Sequence, residues 1–550
     1  MTAAGETSPL GRFDLAAMGI ILLAILAIGA PGITTGGLGW SDAPNHTFDG
    51  IFVYEFIRQW PLDRAREWAE QFYLRYPALG IIVYYPPGFA FIEAGLFAIL
   101  GVSIGVARAT VLMFAFGAGW LMYVLGRRWF DRPTGLLASL LLITCPHGLL
   151  WMNDVMLEWP ATFWILVCVW SYERGRTSRS AAWSFLLAGA VVMAFMTKQT
   201  AGFILPVLLV HALLQSDRWK YMLRPSLLVS LIASCAFIGG YVLFSRRYTA
   251  LPSQLLRPSF DLAGMAHWPA EILGWPLLPI AILGLLTFIA KPDRGPRGLL
   301  LLWFAAWTGF SLSIAAKEPR YLFFSIPPLA FAAVRFGLGS ERSKVVRRTL
   351  SWRADAPRLT LLSALVLVQG LLARARDTGR LPDYAAAVTK LIERENADLV
   401  LVDSVRDGQF VFDVYQNPEA RDRIIPLRAS KILYARAARE KYDYQQFVES
   451  PDDIVALFDR YAIRYAVIES AYPATPYTDA DPPPRKMLRE LLGNDERFSL
   501  LDTWSQKFGD PIWDGVELQL YEYRECPSRT EKKIKLSIPA MNREVELELP

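Results

Sequence analysis

Cysteine and histidine are scarce in this chain, with four of each among 550 residues. Cys145, Cys168 and Cys235 fall in apolar runs and only Cys526 in the polar C-terminal part. No disulfide framework and no metal-ligand spacing follows, and the redox compartment stays open. A GxxxxGK[ST] phosphate loop is absent, and so is a glycine-rich dinucleotide fingerprint, which removes the common nucleotide-driven classes. No internal repeat is visible. Charge is also thin, 20% of residues with a net of +5, and nothing marks a nucleic-acid partner. The N-terminus lacks a cleavable signal pattern; Leu15 to Thr35 is long enough to span a bilayer and reads as a retained anchor.

What the chain has is apolar length. It is 53% hydrophobic, with 18 Trp, 22 Tyr and 31 Phe, many near the ends of apolar runs as in an aromatic belt. The apolar runs come before about residue 375 and the charge after it. This predicts a mainly α fold: a polytopic transmembrane helical bundle with a C-terminal extracytoplasmic α/β domain.

Candidate spans follow Leu15–Thr35 at 107–125, 135–151, 160–171, 181–197, 201–214, 227–244, 272–290, 299–314, 322–336 and 359–372. Basic residues gather on alternate loops: Arg127, Arg128 and Arg132; Arg174, Arg176 and Arg179; Arg218, Lys220 and Arg224; Lys291, Arg294 and Arg297; Arg342, Lys344, Arg347, Arg348 and Arg353. By the positive-inside rule these loops are cytoplasmic. That gives about eleven spans with the N-terminus inside and the C-terminus outside, provided 87–100 is an interfacial or re-entrant helix. Twelve spans is the alternative. The expected location is the plasma (inner) membrane. Expected domains are 1–375, with a first outer loop at 36–106; a soluble domain at 376–526; and a charged tail at 527–550.

In that soluble part, 399–403, 423–427, 462–468 and 516–523 read as strands, and 384–393, 452–461 and 485–492 as helices. A hairpin is expected from 533–538 with 544–549.

Ionisable residues at the mouth of an apolar bundle are costly unless they work. Asp42, just beyond the first span, suits a general base that takes the proton of an attacking hydroxyl; a turn or helix cap is the plain alternative. His46 and Asp49 follow at near-helical spacing, so the three could share a face and hold a divalent cation; alternatively Asp49-Gly50 is only a turn and His46, a polar side chain, is solvated. Tyr84, Tyr85, Pro86 and Pro87 precede an apolar helix carrying Glu93, for which Arg108 is the nearest cation in sequence. That pair could be structural or touch a ligand. Asp154 and Glu158, four apart, could share one helix face, or simply cap. Lys198, Lys317 and Arg320, with Tyr321 beside it, are on the outer side in this topology and suit a phosphate. A lone Lys at a helix end can also snorkel.

The order of several short motifs resembles the GT-C superfamily of membrane glycosyltransferases, in the branch of protein O-mannosyltransferases and lipid A aminoarabinose transferases. They are Trp40-Ser41-Asp42-Ala43, Tyr85-Pro86-Pro87-Gly88-Phe89, Gly101-Val102-Ser103 with Ala107-Arg108, Gly126-Arg127-Arg128-Trp129-Phe130, and Arg320-Tyr321-Leu322 with Pro327-Pro328. The resemblance covers about residues 10–340. It implies inverting transfer of a sugar from a polyprenyl-phosphate-linked donor to an acceptor hydroxyl on a lipid, glycan or protein, at the extracytoplasmic face of the bilayer. Asp42 and Asp49 would be catalytic. His46, Tyr85, Glu93, Arg108, Asp154, Glu158, Lys198, Arg320 and Tyr321 would bind substrate, with Arg108, Lys198 and Arg320 on the donor phosphate. A divalent metal is a candidate cofactor, with Asp42, His46 and Asp49 as its candidate ligands. The family's acidic motif often holds an Asp-Glu pair, whereas this chain has Asp42-Ala43, so the second acid would be Asp49, Glu93 or Glu158. The competing class, a transporter or flippase, predicts paired halves with broken helices near the midplane, and no such symmetry is visible.

Overall fold

The computed structural model describes residues 11–40, 42–80, 85–178, 180–246, 266–313, 318–339, 352–375, 384–394, 398–435, 444–472, 481–505, 515–538 and 543–549. Ser41, Tyr84, Arg179, Lys317 and the basic residues Arg342, Lys344, Arg347 and Arg348 lie outside them. The chain divides into two compact units. The first comprises Met1–Ile33, Arg108–Leu243 and Leu256–Thr378; the second comprises Thr34–Ala107, Phe244–Leu255 and Gly379–Pro550.

The first unit is helical. Among the described residues, three helices are long and apolar enough to cross a membrane: Arg12–Gly29, Ile104–Trp129 and Pro225–Ser245. A fourth is added if Arg132–Thr144 and Pro146–Met152, bent by 65°, count as one broken span. The bend falls where Pro146 follows Cys145, whose extended backbone ends the first helix. Shorter apolar helices include Ala182–Thr197, Gln199–Leu213 and Leu278–Ala290. Helices approach closely through small residues: a Cβ on Gly126 would stand 2.5 Å from the Cα of Gly135. Several basic residues at helix ends and in loops have defined partners. Arg127 pairs with buried Asp14 at 2.7 Å, Arg335 with Asp131 at 3.0 Å, and Arg224 donates to the carbonyls of Gly175 and Ser178.

The second unit joins the first-loop helices Ala43–Gln59, Ala65–Arg75 and Gly88–Leu100 to an α/β fold. Its strands are β1 (Leu399–Asp403), β2 (Ile425–Arg428), β3 (Tyr434–Ala435), β4 (Gln445–Gln446), β5 (Tyr465–Glu469), β6 (Phe498–Ser505), β7 (Glu517–Tyr523), β8 (Lys533–Ile538) and β9 (Arg543–Glu548). The main sheet has the order β2-β1-β5-β7-β6; β1 is parallel to both its neighbours, and β7 is antiparallel to β5 and β6. β1 and β5 are buried at every residue, which is why they read as unbroken apolar runs. From β1 the chain goes to β2 on one side, then crosses to β5 on the other. Asp403 and Glu469 therefore end adjacent parallel strands at a topological switch point. The expected terminal hairpin is present as β8 and β9, and its Ile534 and Leu536 join the core under the sheet.

The helix Asp407–Gln416 lies between β1 and β2 and carries the first-loop segment. Phe48 packs edge-on against Phe412 and Tyr415, and the Tyr415 hydroxyl donates to Glu55 Oε1 at 2.8 Å.

Candidate active site

The near-helical spacing of Asp42, His46 and Asp49 is that of a real helix, with Asp42 at its cap. Ala43–Gln59 is one helix, with Pro44 in its first turn, where a missing N–H costs nothing and a fixed φ helps. Asp49 and Gly50 are thus within the helix and form no turn. Asp42 occupies the cap position, yet its side chain makes no capping bond. Instead Asp42 Oδ2 accepts from the Tyr85 hydroxyl at 3.1 Å. The His46 ring meets the Tyr85 ring edge-on, with centroids 4.4 Å apart, and is buried, so it is not the solvated histidine its polarity suggested.

Asp49 is one turn below His46 and 4% exposed; its Oδ1 accepts from the Gly80 N–H at 2.8 Å. Gly80 is held between three groups of this site: a Cβ there would lie 3.2–3.3 Å from the Tyr85 ring, Asn45 and Asp49 Oδ2. Glu93, on the helix that opens after Pro86-Pro87, is fully buried beside Gly50. Neither of its carboxylate oxygens has a hydrogen-bond partner among the described residues. Asp42, His46, Asp49, Tyr85 and Glu93 thus form one continuous cluster in the second unit.

The metal candidate does not fit this arrangement. Asp42 and His46 turn to Tyr85 while Asp49 turns to a backbone amide. Among the described residues, no group of three or more His, Cys, Asp or Glu side chains is disposed to hold an ion.

The first unit holds the remaining candidates. Glu158 is fully buried, and its Oε1 accepts from Lys198 Nζ at 2.6 Å. Lys198 and Arg320 are the two cations whose charge acts on Glu158. Arg320 pairs with Glu318 at 2.5 Å and lies over the Tyr321 ring at 5.5 Å. Tyr321 sits in the short 3-10 helix Pro319–Ser325, and its carbonyl accepts from Trp307 and Ser311. Arg108 is buried and donates to the carbonyls of Gly32 and Ile33, both at 3.2 Å, so it closes the turn after the first helix.

Asp154 and Glu158 do not share a helix face. Asp154 lies in the turn after Met152, accepting from the Val155 N–H at 2.9 Å, and Glu158 opens the next helix. The four-residue spacing has no helical meaning across that turn. Two further polar groups escaped the sequence reading: Glu318, and His147, buried 3.7 Å from Glu271.

Residues 85–241 match a family model described as dolichyl-phosphate-mannose-protein mannosyltransferase. The stretch starts at Tyr85 and includes Glu93, Arg108, Asp154, Glu158 and Lys198. No curated protein sequence matches the chain. Among solved structures, ArnT from Cupriavidus metallidurans bound to undecaprenyl phosphate is similar with a TM-score of 0.56 at 13% identity, over 92% of this chain and 97% of that one. The archaeal oligosaccharyltransferase AglB from Archaeoglobus fulgidus, in complex with an inhibitory peptide and a dolichol-phosphate, has a TM-score of 0.54 at 14% identity, over 84% of this chain and 69% of that one. The arabinofuranosyltransferase AftD from Mycobacteria has a TM-score of 0.55 at 11% identity, over 98% of this chain and 41% of that one. At such identities the likeness is one of fold, and the functional signal rests on the matching stretch. The chain thus shares the fold of these structures, and its residues 85–241 carry the match to the mannosyltransferase model.

Proposed function

We propose that this protein transfers a sugar, with inversion, from a polyprenyl-phosphate-linked donor to an acceptor hydroxyl, and that Asp42 is the general base. The carrying observation is the Asp42–Tyr85 pair. Asp42 has the position of a helix cap but does not cap, and its carboxylate is oriented by a hydroxyl from the stretch that matches the mannosyltransferase model. A sugar, lipid or protein hydroxyl is a poor nucleophile at neutral pH, so a positioned carboxylate must take its proton as the new bond forms. Undecaprenyl phosphate and dolichol-phosphate in two structures of this fold support a polyprenyl phosphate as the carrier.

The leaving group is that lipid phosphate, and neutralising its charge lowers the barrier. Lys198 and Arg320 are the side chains for this. Lys198 donates to Glu158 Oε1 and Arg320 forms an ion pair with Glu318, and an ammonium and a guanidinium are the cation types that suit a phosphate. The sugar is a hexose or pentose, and the acceptor a lipid, glycan or protein. The site opens on the extracytoplasmic side of the plasma (inner) membrane, with the N-terminus cytoplasmic, about eleven spans and the α/β domain outside. The transporter reading is set aside, because the neighbours named by activity are transferases.

The test is Asp42→Asn in membranes supplied with undecaprenyl-phosphate-linked hexoses and pentoses. The variant keeps shape and hydrogen bonding but loses basicity. It should insert and bind donor yet release undecaprenyl phosphate at least about a hundredfold more slowly. Near-full turnover would place the base elsewhere.

A further inference from the structure

Asp42 is reached through a stretch without regular structure. Between Gly29 and Ala43 the described residues are turns and bends, so their backbone amides need partners outside a helix or ladder. The Leu38 N–H finds one 371 residues away in sequence. It donates to Gln409 Oε1 at 2.6 Å, with Leu38 fully buried and Gln409 1% exposed. Gly37 lets the carboxamide lie flat on this backbone, since a Cβ there would stand 2.8–3.1 Å from the Gln409 side chain.

The other end of the same carboxamide is committed as well. Gln409 Nε2 donates to Asp413 Oδ1 at 2.8 Å, one turn along the same helix face. Asp413 Oδ2 accepts from the Tyr384 N–H at 2.6 Å. The Tyr384 hydroxyl is within hydrogen-bond distance of Ser404 Oγ at 3.2 Å and of Glu469 Oε1 at 3.1 Å, at the carboxyl ends of β1 and β5. On the far side of Asp42, Pro44 packs on Gly408, where a Cβ would come within 2.8 Å of Pro44 Cβ. The Trp40 ring lies 6.0 Å from the Arg406 guanidinium. The loop is therefore seated on the start of the helix Asp407–Gln416 both before and after Asp42.

We propose that Gln409 is a positioning residue for sugar transfer, fixing through Leu38 the backbone that carries Asp42. The α/β domain then acts as the anvil of the active site: its sheet holds Tyr384, Tyr384 holds Asp413, Asp413 holds Gln409, and Gln409 holds the loop. Only a side chain that accepts at one end and donates at the other fits between an amide N–H and a carboxylate. The inference rests on Asp42 as the base, and a base displaced by about 1 Å loses on the order of a hundredfold in rate.

The experiment uses the full chain in detergent, release of undecaprenyl phosphate from its hexosyl and pentosyl conjugates, and four variants. Gln409→Met removes both bonds at nearly constant volume. Gln409→Glu keeps the acceptor but sets a carboxylate against Asp413. Gln409→Glu combined with Asp413→Asn reverses the polarity and keeps every bond, because the new amide donates to the new carboxylate while its carbonyl accepts from Tyr384. Asp42→Asn is run beside them. The expected result is a kcat lowered about ten- to a hundredfold in both single Gln409 variants, with the donor KM within about twofold of wild type. The paired exchange should recover most of that kcat. Full kcat in Gln409→Met, or an exchange that restores the melting temperature but not kcat, overturns the assignment. If Gln409→Met does not fold, the paired exchange still decides. Full turnover in Asp42→Asn removes the base itself, and the inference with it; loss in Asp42→Asn with full activity in Gln409→Met removes the positioning role alone.

Discussion

Glu469 should make the α/β unit lose stability as pH rises from about 4.5 to about 7. It ends β5 with no exposed surface, beside Asp403 at the end of β1. Burial pushes its carboxyl up, Arg485 at 3.9 Å and the N–H of Val405 at 2.7 Å pull it back, and the charge of Asp403 raises it again, to about 7 from the usual 4.5. The folded chain therefore holds a proton between about pH 4.5 and 7 that the unfolded chain has released. The stabilisation this gives is complete below the unfolded value and is lost as pH climbs through the folded one. A shift of this size, at about 1.36 kcal/mol per unit, is worth roughly 3 kcal/mol. For a unit of this length that is about 6–12 °C of melting temperature. Glu469→Gln cannot ionise, and its amide can still serve Val405 and Tyr384. The wild type and Glu469→Gln are melted in detergent from pH 5 to pH 8, and hydrogen exchange of the β1 and β5 amides is compared at each pH. The two should diverge from pH 5 to about pH 7, the variant becoming relatively more stable, and run parallel above that. Parallel curves already between pH 5 and about pH 7 would refute the reasoning, because the buried carboxyl would then be titrating as it does in the unfolded chain.

The fold was legible where structure is local. Leu399–Asp403 is an apolar run with polar flanks, and it is β1; Pro86-Pro87 does open a helix. The helix Asp407–Gln416 was not legible, since its opening Asp407-Gly408 has the composition of a turn; its Phe410 and Val414 join the sheet core, and Phe48, Leu38 and Pro44 also pack on it. β6 was missed because Phe498–Ser505 lies half-exposed at the sheet edge, with Asp502 inside it. In the active site the residue types were readable and their partnerships were not. Asp42 and Tyr85 stand 43 residues apart, and no periodicity joins them. Glu93 drew attention as a carboxyl in an apolar run, which is sound chemistry, but the room its side chain occupies is left by Gly50, on another helix. Gln409 carried no signal: a neutral residue on a helix face, its role is set by a loop that meets it only in three dimensions. Helical spacing also misled at Asp154 and Glu158, because it presumes a helix that the turn between them breaks.

Gly50→Ala should destabilise the second unit by about 1–3 kcal/mol, since the added methyl meets the carboxyl of Glu93. Glu93→Ala in the same chain should recover most of the lost melting temperature; no recovery would mean the clash lies elsewhere. The ion pair in the first unit allows a sharper separation of stability from function. Lys198→Met leaves the fully buried Glu158 without its 2.6 Å partner, and breaking a buried pair in this way costs about 3–5 kcal/mol. Adding Glu158→Gln removes the stranded charge, so the double variant should melt close to wild type. If Lys198 serves only that pair, the double variant should also use the lipid-phosphate donor normally. If Lys198 holds the donor phosphate with its remaining N–H groups, donor KM stays high in the double variant although the fold has recovered. A double variant with both melting temperature and donor KM restored would therefore remove Lys198 from the donor site and leave Arg320 as the phosphate's cation.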